Sequence, residues 1–315
     1  HATELDVDAA ADGEQVLVGA IMEHLEQAGI HSGDSTCFIP TQNISQEMLK
    51  RVDEQTRIIG LKLKIKGCYN IQFAIQGDNL YCLEVNPRSS RTVPFVAKST
   101  GLPMARIAAR ITIGIPLSQQ EIPRRTTGHV CVKAPVFPFI KLRGLDPAPG
   151  PEMKSTGEVF GSDIRADLAY LKARLATEIP VATEGGAYLT VREEDKAALV
   201  PIAQSLIDLN FTIFATPGTA DVLRKANIPV TTSYRIAERM HPDSLDLMRK
   251  GDVNFIVNVP TISGGAVRDG NMMRRLAVEL NIPFVTTMRG AVMEVAAMKA
   301  RLENNLEPRR LEVHY

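Results

Sequence analysis

From residue 187 onward the chain alternates short β-like runs with helical ones, and nothing else in the sequence restricts the fold so tightly. Strand-like stretches at 187–191, 211–215, 253–259 and 283–286 are separated by helix-like stretches at 194–209, 219–226, 268–280 and 290–302. Strands joined through helices make crossovers, so the expected product is a mostly parallel sheet covered on both faces. Binding sites in such sheets open at the carboxyl ends of the strands. The linker-like run Thr183-Glu184-Gly185-Gly186 precedes the alternation and sets the expected boundary, giving domains at 1–183 and 184–315.

The first part reads differently. Residues 2–10 and 14–22 form strand-like runs around Asp12-Gly13, a hairpin signal. Residues 45–65 read as a helix, with Leu49, Val52, Thr56, Ile59 and Leu63 on one face. Two more strands, 69–76 and 80–86, flank Gly77-Asp78-Asn79, and Pro103 opens a helix that Gly114 ends. From 116 to about 160 prolines are dense and only 129–134 stands out as extended, while 163–175 looks helical.

Composition narrows the function classes. Lys plus Arg and Asp plus Glu are equal at 36 each, so no overall field draws the chain to nucleic acid or to an anionic membrane. No apolar run approaches the ~20 residues of a membrane helix. Cys37, Cys68, Cys82 and Cys131 are widely spaced, which reads as reduced thiols in a cytoplasmic protein. The chain starts at His1 and enters a strand at once, with no signal peptide, as a piece of a longer chain would.

The stretch Asn70 to Arg91, NIQFAIQGDNLYCLEVNPRSSR, carries the most chemistry. If its turn centres on Asp78, Ile71 opposes Val85, Phe73 opposes Leu83 and Ile75 opposes Tyr81, an apolar face. The other face pairs Asn70 with Asn86, Gln72 with Glu84 and Ala74 with Cys82. Opposed residues sit about 5 Å apart, so Gln72, Glu84 and Asn86 cluster as oxygen donors. Hard Mg²⁺ takes one or two carboxylates plus substrate phosphates. By pattern alone the same face also reads as a solvated hairpin surface.

Glu84-Val85-Asn86-Pro87-Arg88 matches the ExNxR-type signature of ATP-grasp enzymes, in which Glu and Asn hold magnesium on ATP and Arg neutralises charge in phosphoryl transfer. Together with GAIMEHLEQAGIHSGDS (19–35), EVNPRSSRTVPFVAKSTG (84–101) and GPEMKSTGEV (150–159), it makes the chain similar to the large subunits of carbamoyl-phosphate synthetases, from about residue 2 to about 302. The resemblance implies an α/β chain: the C-terminal lobe of an α+β ATP-grasp domain, then a Rossmann-like parallel α/β regulatory domain of methylglyoxal-synthase-like fold.

The resemblance also implies roles. Glu4 matches a residue holding the nucleotide ribose, and Gly29, Ile30, His31 and Ser32 match a loop contacting the nucleotide. Gln72, Glu84 and Asn86 match ligands of two Mg²⁺ or Mn²⁺ ions, Gln72 and Glu84 thereby also serving ATP. Arg88 and Arg91 match catalytic arginines of the carbamate and phosphate pocket. The reaction implied is phosphorylation of carbamate by ATP, giving carbamoyl phosphate for pyrimidine and arginine synthesis. The partners implied are the remainder of the large subunit and a small glutaminase subunit. Glu26 and Asp34 match two carboxylates of an ornithine site, whereas Ala134 and Phe284 stand where relatives carry a third carboxylate and an aromatic hydroxyl. No G-x-x-x-x-G-K-[ST] or G-x-G-x-x-G loop occurs, so the expected lone chain keeps the metal side of the site and is inactive.

In the second part, Phe214-Ala215-Thr216-Pro217-Gly218-Thr219-Ala220 runs from strand into helix, with hydroxyls, a glycine and free helix N–H groups suited to phosphate. The same run also reads as a helix start capped by Thr. By resemblance, Lys196, Thr216, Thr219, Arg235, Asn258 and Thr261 bind a regulatory nucleotide such as UMP or IMP. Two further readings stand beside this one. The chain could be a stand-alone nucleotide-binding module; or it could be a methylglyoxal synthase, which the lack of an acid between Asn258 and Asp269 disfavours.

Overall fold

The computed structural model describes residues 2–123, 128–139, 141, 144–260, 265–304 and 306. They form two compact units: residues up to 135 with 150–169, and residues 136–149 with 170–306.

In the first unit the strands are β1 (Thr3–Asp12), β2 (Val16–Gln27), β3 (Cys37–Ile39), β4 (Lys66–Gln76), β5 (Asn79–Asn86), β6 (Val130–Val136) and β7 (Gly157–Asp163). They make one sheet in the order β5-β4-β1-β2-β3-β6-β7, antiparallel from β5 through β6. Helix α1 (Gln46–Lys62) begins at Ser45, whose hydroxyl accepts from Met48 N–H at 3.2 Å. It covers one face of the sheet, where Leu5, Val7, Ala9, Val52, Tyr69, Ile71 and Phe73 share a core. Helices α2 (Val93–Thr100) and α3 (Met104–Thr112) supply Val93, Phe95, Val96, Met104 and Ile107 to a second core with Ala10, Met22 and Cys37.

Period-2 alternation therefore splits β1 cleanly. Leu5, Val7 and Ala9 face the α1 core, and Glu4, Asp6 and Asp8 are buried on the opposite side. The α1 face differs from expectation at its end: Leu63 is 58% exposed, and the buried row is Met48, Val52, Thr56 and Gly60.

The β4–β5 hairpin holds the expected register only at one end. Asn70 opposes Asn86, Ile71 opposes Val85 and Gln72 opposes Glu84, but then Phe73 meets Cys82, Ala74 meets Tyr81 and Gln76 meets Asn79. The turn is one residue tighter than a loop centred on Asp78, and the irregularity falls between Gln72 and Phe73, leaving Leu83 52% exposed.

Helix α4 (Ala166–Ala176) follows β7. The second unit then carries β8 (Gly186–Thr190), α5 (Lys196–Asp208), β9 (Thr212–Ala215), α6 (Pro217–Lys225), β10 (Thr231–Thr232), α7 (Ser244–Lys250), β11 (Phe255–Asn258), α8 (Gly265–Glu279), β12 (Phe284–Val285) and α9 (Met288–Glu303). Its sheet is parallel in the order β10-β9-β8-β11-β12. The chain moves outward from β8 through β9 to β10, then returns to build β11 and β12 on the other side. The order reverses between β8 and β11, the place where sheets of this kind bind ligands at the strand carboxyl ends. No described helix is long and apolar enough to cross a membrane, and all four cysteines are free.

Candidate functional site

In the first unit a cleft of about 390 Å³ is lined by Gln72, Glu84 and Asn86 from the β4–β5 hairpin, by Arg88 and Arg91 from the loop after it, and by Glu158 of β7. His31 and Ser32 from the loop after β2 line it too. Asn70 and Gln72 sit two residues apart on β4 and so share a face, and each stands opposite its partner on β5. That is why four side chains offering oxygen open into one space while Phe73 turns to the α1 core. The irregularity in the hairpin lies beyond Gln72 and leaves this row intact.

Behind the cleft lies a buried network. Cα register places Asp8 opposite Asn70 and Asp6 opposite Gln72. Asp8 accepts from Ser90 Oγ at 2.7 Å, from Thr92 Oγ1 at 2.6 Å and from Asn70 Nδ2 at 3.0 Å. It thus ties the loop bearing Arg88 and Arg91 to β1. Burial and the neighbouring Asp6 push the Asp8 carboxyl up to about 6, against the lowering effect of those three donors. Burial also works against charge on Asp6, but His24, Asn70 and Lys133 outweigh it and hold Asp6 below its usual value. His24, whose Nε2 lies 3.7 Å from Asp6, is raised because Cys37 and Asp6 overcome its burial.

The opposite wall is fixed as firmly. Glu158 Oε1 lies 3.3 Å from Lys133 Nζ and 3.9 Å from Arg91 Nε. Lys133 is fully buried and also donates to the Ser32 carbonyl at 2.8 Å. Arg91 donates to Ser155 Oγ at 3.3 Å.

The remaining expected residues fall into two groups. Glu4 is buried, lies outside the cleft lining, and accepts from Gly29 N–H at 3.0 Å; its carboxyl is raised chiefly by burial. Gly29 adopts φ +94°, which only glycine takes without strain. Ile30 follows, and His31 Nδ1 accepts from Gly33 N–H at 3.0 Å. Glu26 and Asp34 are engaged by backbone: Glu26 accepts from Thr36 N–H at 2.6 Å, and Asp34 from Lys154 and Ser155 N–H at 2.8 and 2.9 Å.

In the second unit Thr216 caps α6 through its backbone, not its hydroxyl, which donates instead to Thr219 Oγ1 at 3.3 Å. Thr219 is buried. Lys196 pairs with Glu193, and its ammonium hangs over Gly218, where a Cβ would come within 2.9 Å of Nζ. Arg235 starts the short turn 236–238, and Asn258 ends β11. Thr261 lies outside the described residues.

Asp6, Asp8, Lys133 and Glu158 are among the polar residues to which motif reading assigns no role. For the first two the signal is present in the alternation Glu4-x-Asp6-x-Asp8 against Leu5, Val7 and Ala9. Lys133 lies outside the matching motifs, and Glu158, though within GPEMKSTGEV, carries no mark of its partner there, because the two meet only through sheet order.

Two family models match the chain: "Carbamoyl-phosphate synthase L chain, ATP binding domain" over residues 1–120 and "MGS-like domain" over 198–286. A carbamoyl phosphate synthase large chain of Methanosarcina barkeri is 44% identical over 95% of this chain and 75% of its own length. The large chain of Methanocorpusculum labreanum is 42% identical over 100% of this chain, which spans 30% of that relative's length. The large chain, C-terminal section, of Methanocaldococcus jannaschii is 44% identical over 95% of this chain and 50% of its own length.

Proposed function

Since the chain belongs to the family of carbamoyl phosphate synthase large chains, we propose that its first unit provides the metal and phosphate side of an ATP-dependent site that phosphorylates carbamate to carbamoyl phosphate. The observation that carries this reading is the convergence of Gln72, Glu84 and Asn86 on one cleft wall with Arg88 and Arg91. The donor set fits the group: one carboxylate and two amide oxygens are hard ligands suited to Mg²⁺ or Mn²⁺, with room left for phosphate oxygens. When bound, two such ions screen the phosphate charge during transfer.

The chain's own residues do the rest. Glu4 and the loop Gly29, Ile30, His31 and Ser32 position the nucleotide. Arg88 and Arg91 attract and orient the anionic acceptor and the transferring phosphoryl group, whose charge develops on its oxygens. Asp8 holds their loop, and Glu158 holds Arg91 against a wall pinned by Lys133. Because these positions are fixed before substrate arrives, little reorganisation is needed at reaction. The remainder of a large chain and a small glutaminase subunit would complete the enzyme, in pyrimidine and arginine biosynthesis. We assign the second unit a regulatory role, binding UMP or IMP through Lys196, Thr216, Thr219, Arg235 and Asn258.

Mn²⁺ added to the isotope-labelled chain tests the metal site directly. Paramagnetic broadening should appear first at Gln72, Glu84 and Asn86 amides, and Glu84→Gln should abolish it. Broadening centred elsewhere, or unchanged in Glu84→Gln, would refute the assignment.

A further inference from the structure

The largest fully buried side chain of the described residues belongs to an arginine in the second unit. Arg274, on α8, is 2% exposed. A guanidinium cannot shed its charge, so at this depth it must be fully paired. Two partners meet it. Asp146 takes it in a two-pronged pair, with Nε donating to Oδ1 at 2.8 Å and Nη2 donating to Oδ2. Nη1 donates to Asn258 Oδ1. Gly270, one turn earlier on α8, gives the room: a Cβ there would come 2.9 Å from Nη1 and 3.2 Å from Asn258 Oδ1.

Position gives this cluster its meaning. Asn258 is the last residue of β11 and pairs with Thr190, the last residue of β8. These are the two strands between which the sheet order reverses, the place where α/β sheets bind ligands. Arginine has no acceptor, so the Asn258 amide must turn its oxygen to Arg274 and its NH₂ elsewhere. The orientation of this strand-end side chain is thus dictated by Arg274, and that of Arg274 by Asp146. Asp146 in turn belongs to the segment 136–149, which leaves β6 and leads back toward β7. It is itself shaped by its own segment, accepting from Ala148 N–H at 2.9 Å.

Resting on the regulatory reading of the second unit, we infer that Asp146 and Arg274 form a positioning relay that sets the Asn258 amide as a hydrogen-bond donor to an acceptor-bearing ligand, a nucleoside monophosphate, and so ties occupancy of the β8–β11 strand ends to residues 144–149. Arg274 acts through Asn258 and not as a direct anion ligand, because its charge is already spent on Asp146. The relay also gives the site a preference: a ligand presenting a carbonyl or phosphoryl oxygen to Asn258 is accepted, and one presenting only a donor there meets the NH₂ group and is rejected.

Hydrogen exchange and calorimetry on the 315-residue chain, with UMP and with IMP as probes, test this. In the unaltered chain, saturating nucleotide should slow exchange both at the β8–β11 strand ends and in residues 144–149. Asp146→Asn keeps the shape but weakens the clamp; it should lower affinity about tenfold. At saturation it should restore protection at the strand ends while abolishing the response of 144–149. Arg274→Lys, which cannot fork onto Asp146, should do the same. A nucleotide that binds Asp146→Asn as tightly as the unaltered chain, or that never alters exchange in 144–149, overturns the relay and leaves the site standing. If neither nucleotide binds the folded, unaltered chain at millimolar concentration, the regulatory site is refuted and the relay with it.

Discussion

Asp8 shows how a single residue serves the site at a cost to the fold. Its carboxylate organises Asn70, Ser90 and Thr92, yet burial beside Asp6 raises it from 3.8 to about 6. A carboxyl raised on folding binds more protons in the native state than in the unfolded one between those two values. Stability therefore falls as pH rises from about 4 to about 6, and the deficit persists above. Asp8→Asn removes that charge, and the Ser90 and Thr92 hydroxyls can reverse their hydrogen bonds to meet an amide. The expected outcome is a first unit more stable above pH 6, by up to about 3 kcal/mol, with a flatter profile between pH 4 and 6. Urea unfolding followed at first-unit amides checks it; an unchanged slope would show that Asp8 does not titrate there. Residue by residue, the cleft was legible where a motif named it: Gln72, Glu84, Asn86, Arg88 and Arg91 line one space. The network beneath is legible only so far as the alternation puts Asp6 and Asp8 on one face, because a buried carboxylate and an exposed one look alike in sequence, and only strand order decides which Asp8 becomes.

At the scale of elements, the hairpin shows what parity can and cannot fix. Alternation assigned Gln72 and Glu84 to one face correctly, because the apolar positions Ile71, Phe73 and Val85 demand the core. The turn is one residue tighter than parity about Asp78 predicts, and the resulting mismatch is absorbed between Gln72 and Phe73 at the cost of exposing Leu83. Elements with weak periodicity escaped altogether: α2, α7, β7 and the two-residue β10 have too few residues to show a pattern. Helix α1 shows the reverse, a clear helix with an unobvious face. Gly60 lies on its buried side because Tyr69 of β4 stands over it, donating its hydroxyl to the Thr56 carbonyl at 2.9 Å. A Cβ at position 60 would come 2.4 Å from the Tyr69 hydroxyl oxygen. Alanine is ordinarily better than glycine within a helix by about 1 kcal/mol. Here Gly60→Ala should instead destabilise by about 1–3 kcal/mol, the usual range for overpacking. Native-state hydrogen exchange of the α1 amides reads this, and slower exchange in the variant would contradict the close contact.

For the whole molecule, the strand–helix alternation after residue 187 foretold the parallel sheet of the second unit, since buried strands joined by helices leave little other topology. The seven-stranded order of the first unit was beyond reach, because β6 and β7 join it across long, proline-rich connections with no periodic signal. The same contrast separates the two proposed activities. Thr216 is only half-buried at the start of α6 and donates its hydroxyl to buried Thr219, so Thr219→Ala, which removes the partner that orients Thr216, should weaken UMP or IMP binding to the chain about ten- to a hundredfold while leaving the sheet folded; calorimetry showing full affinity would return Thr216 and Thr219 to a purely structural role. For the first unit, the deciding measurement is the rate at which a complete large chain carrying this sequence makes ATP from ADP and carbamoyl phosphate, with and without Glu84→Gln. Loss of the one charged member of the donor set should lower that rate by about a thousandfold or more, with folding intact. A Glu84→Gln enzyme retaining a rate within about tenfold of the unaltered one would contradict the central claim that this cleft holds the catalytic metal.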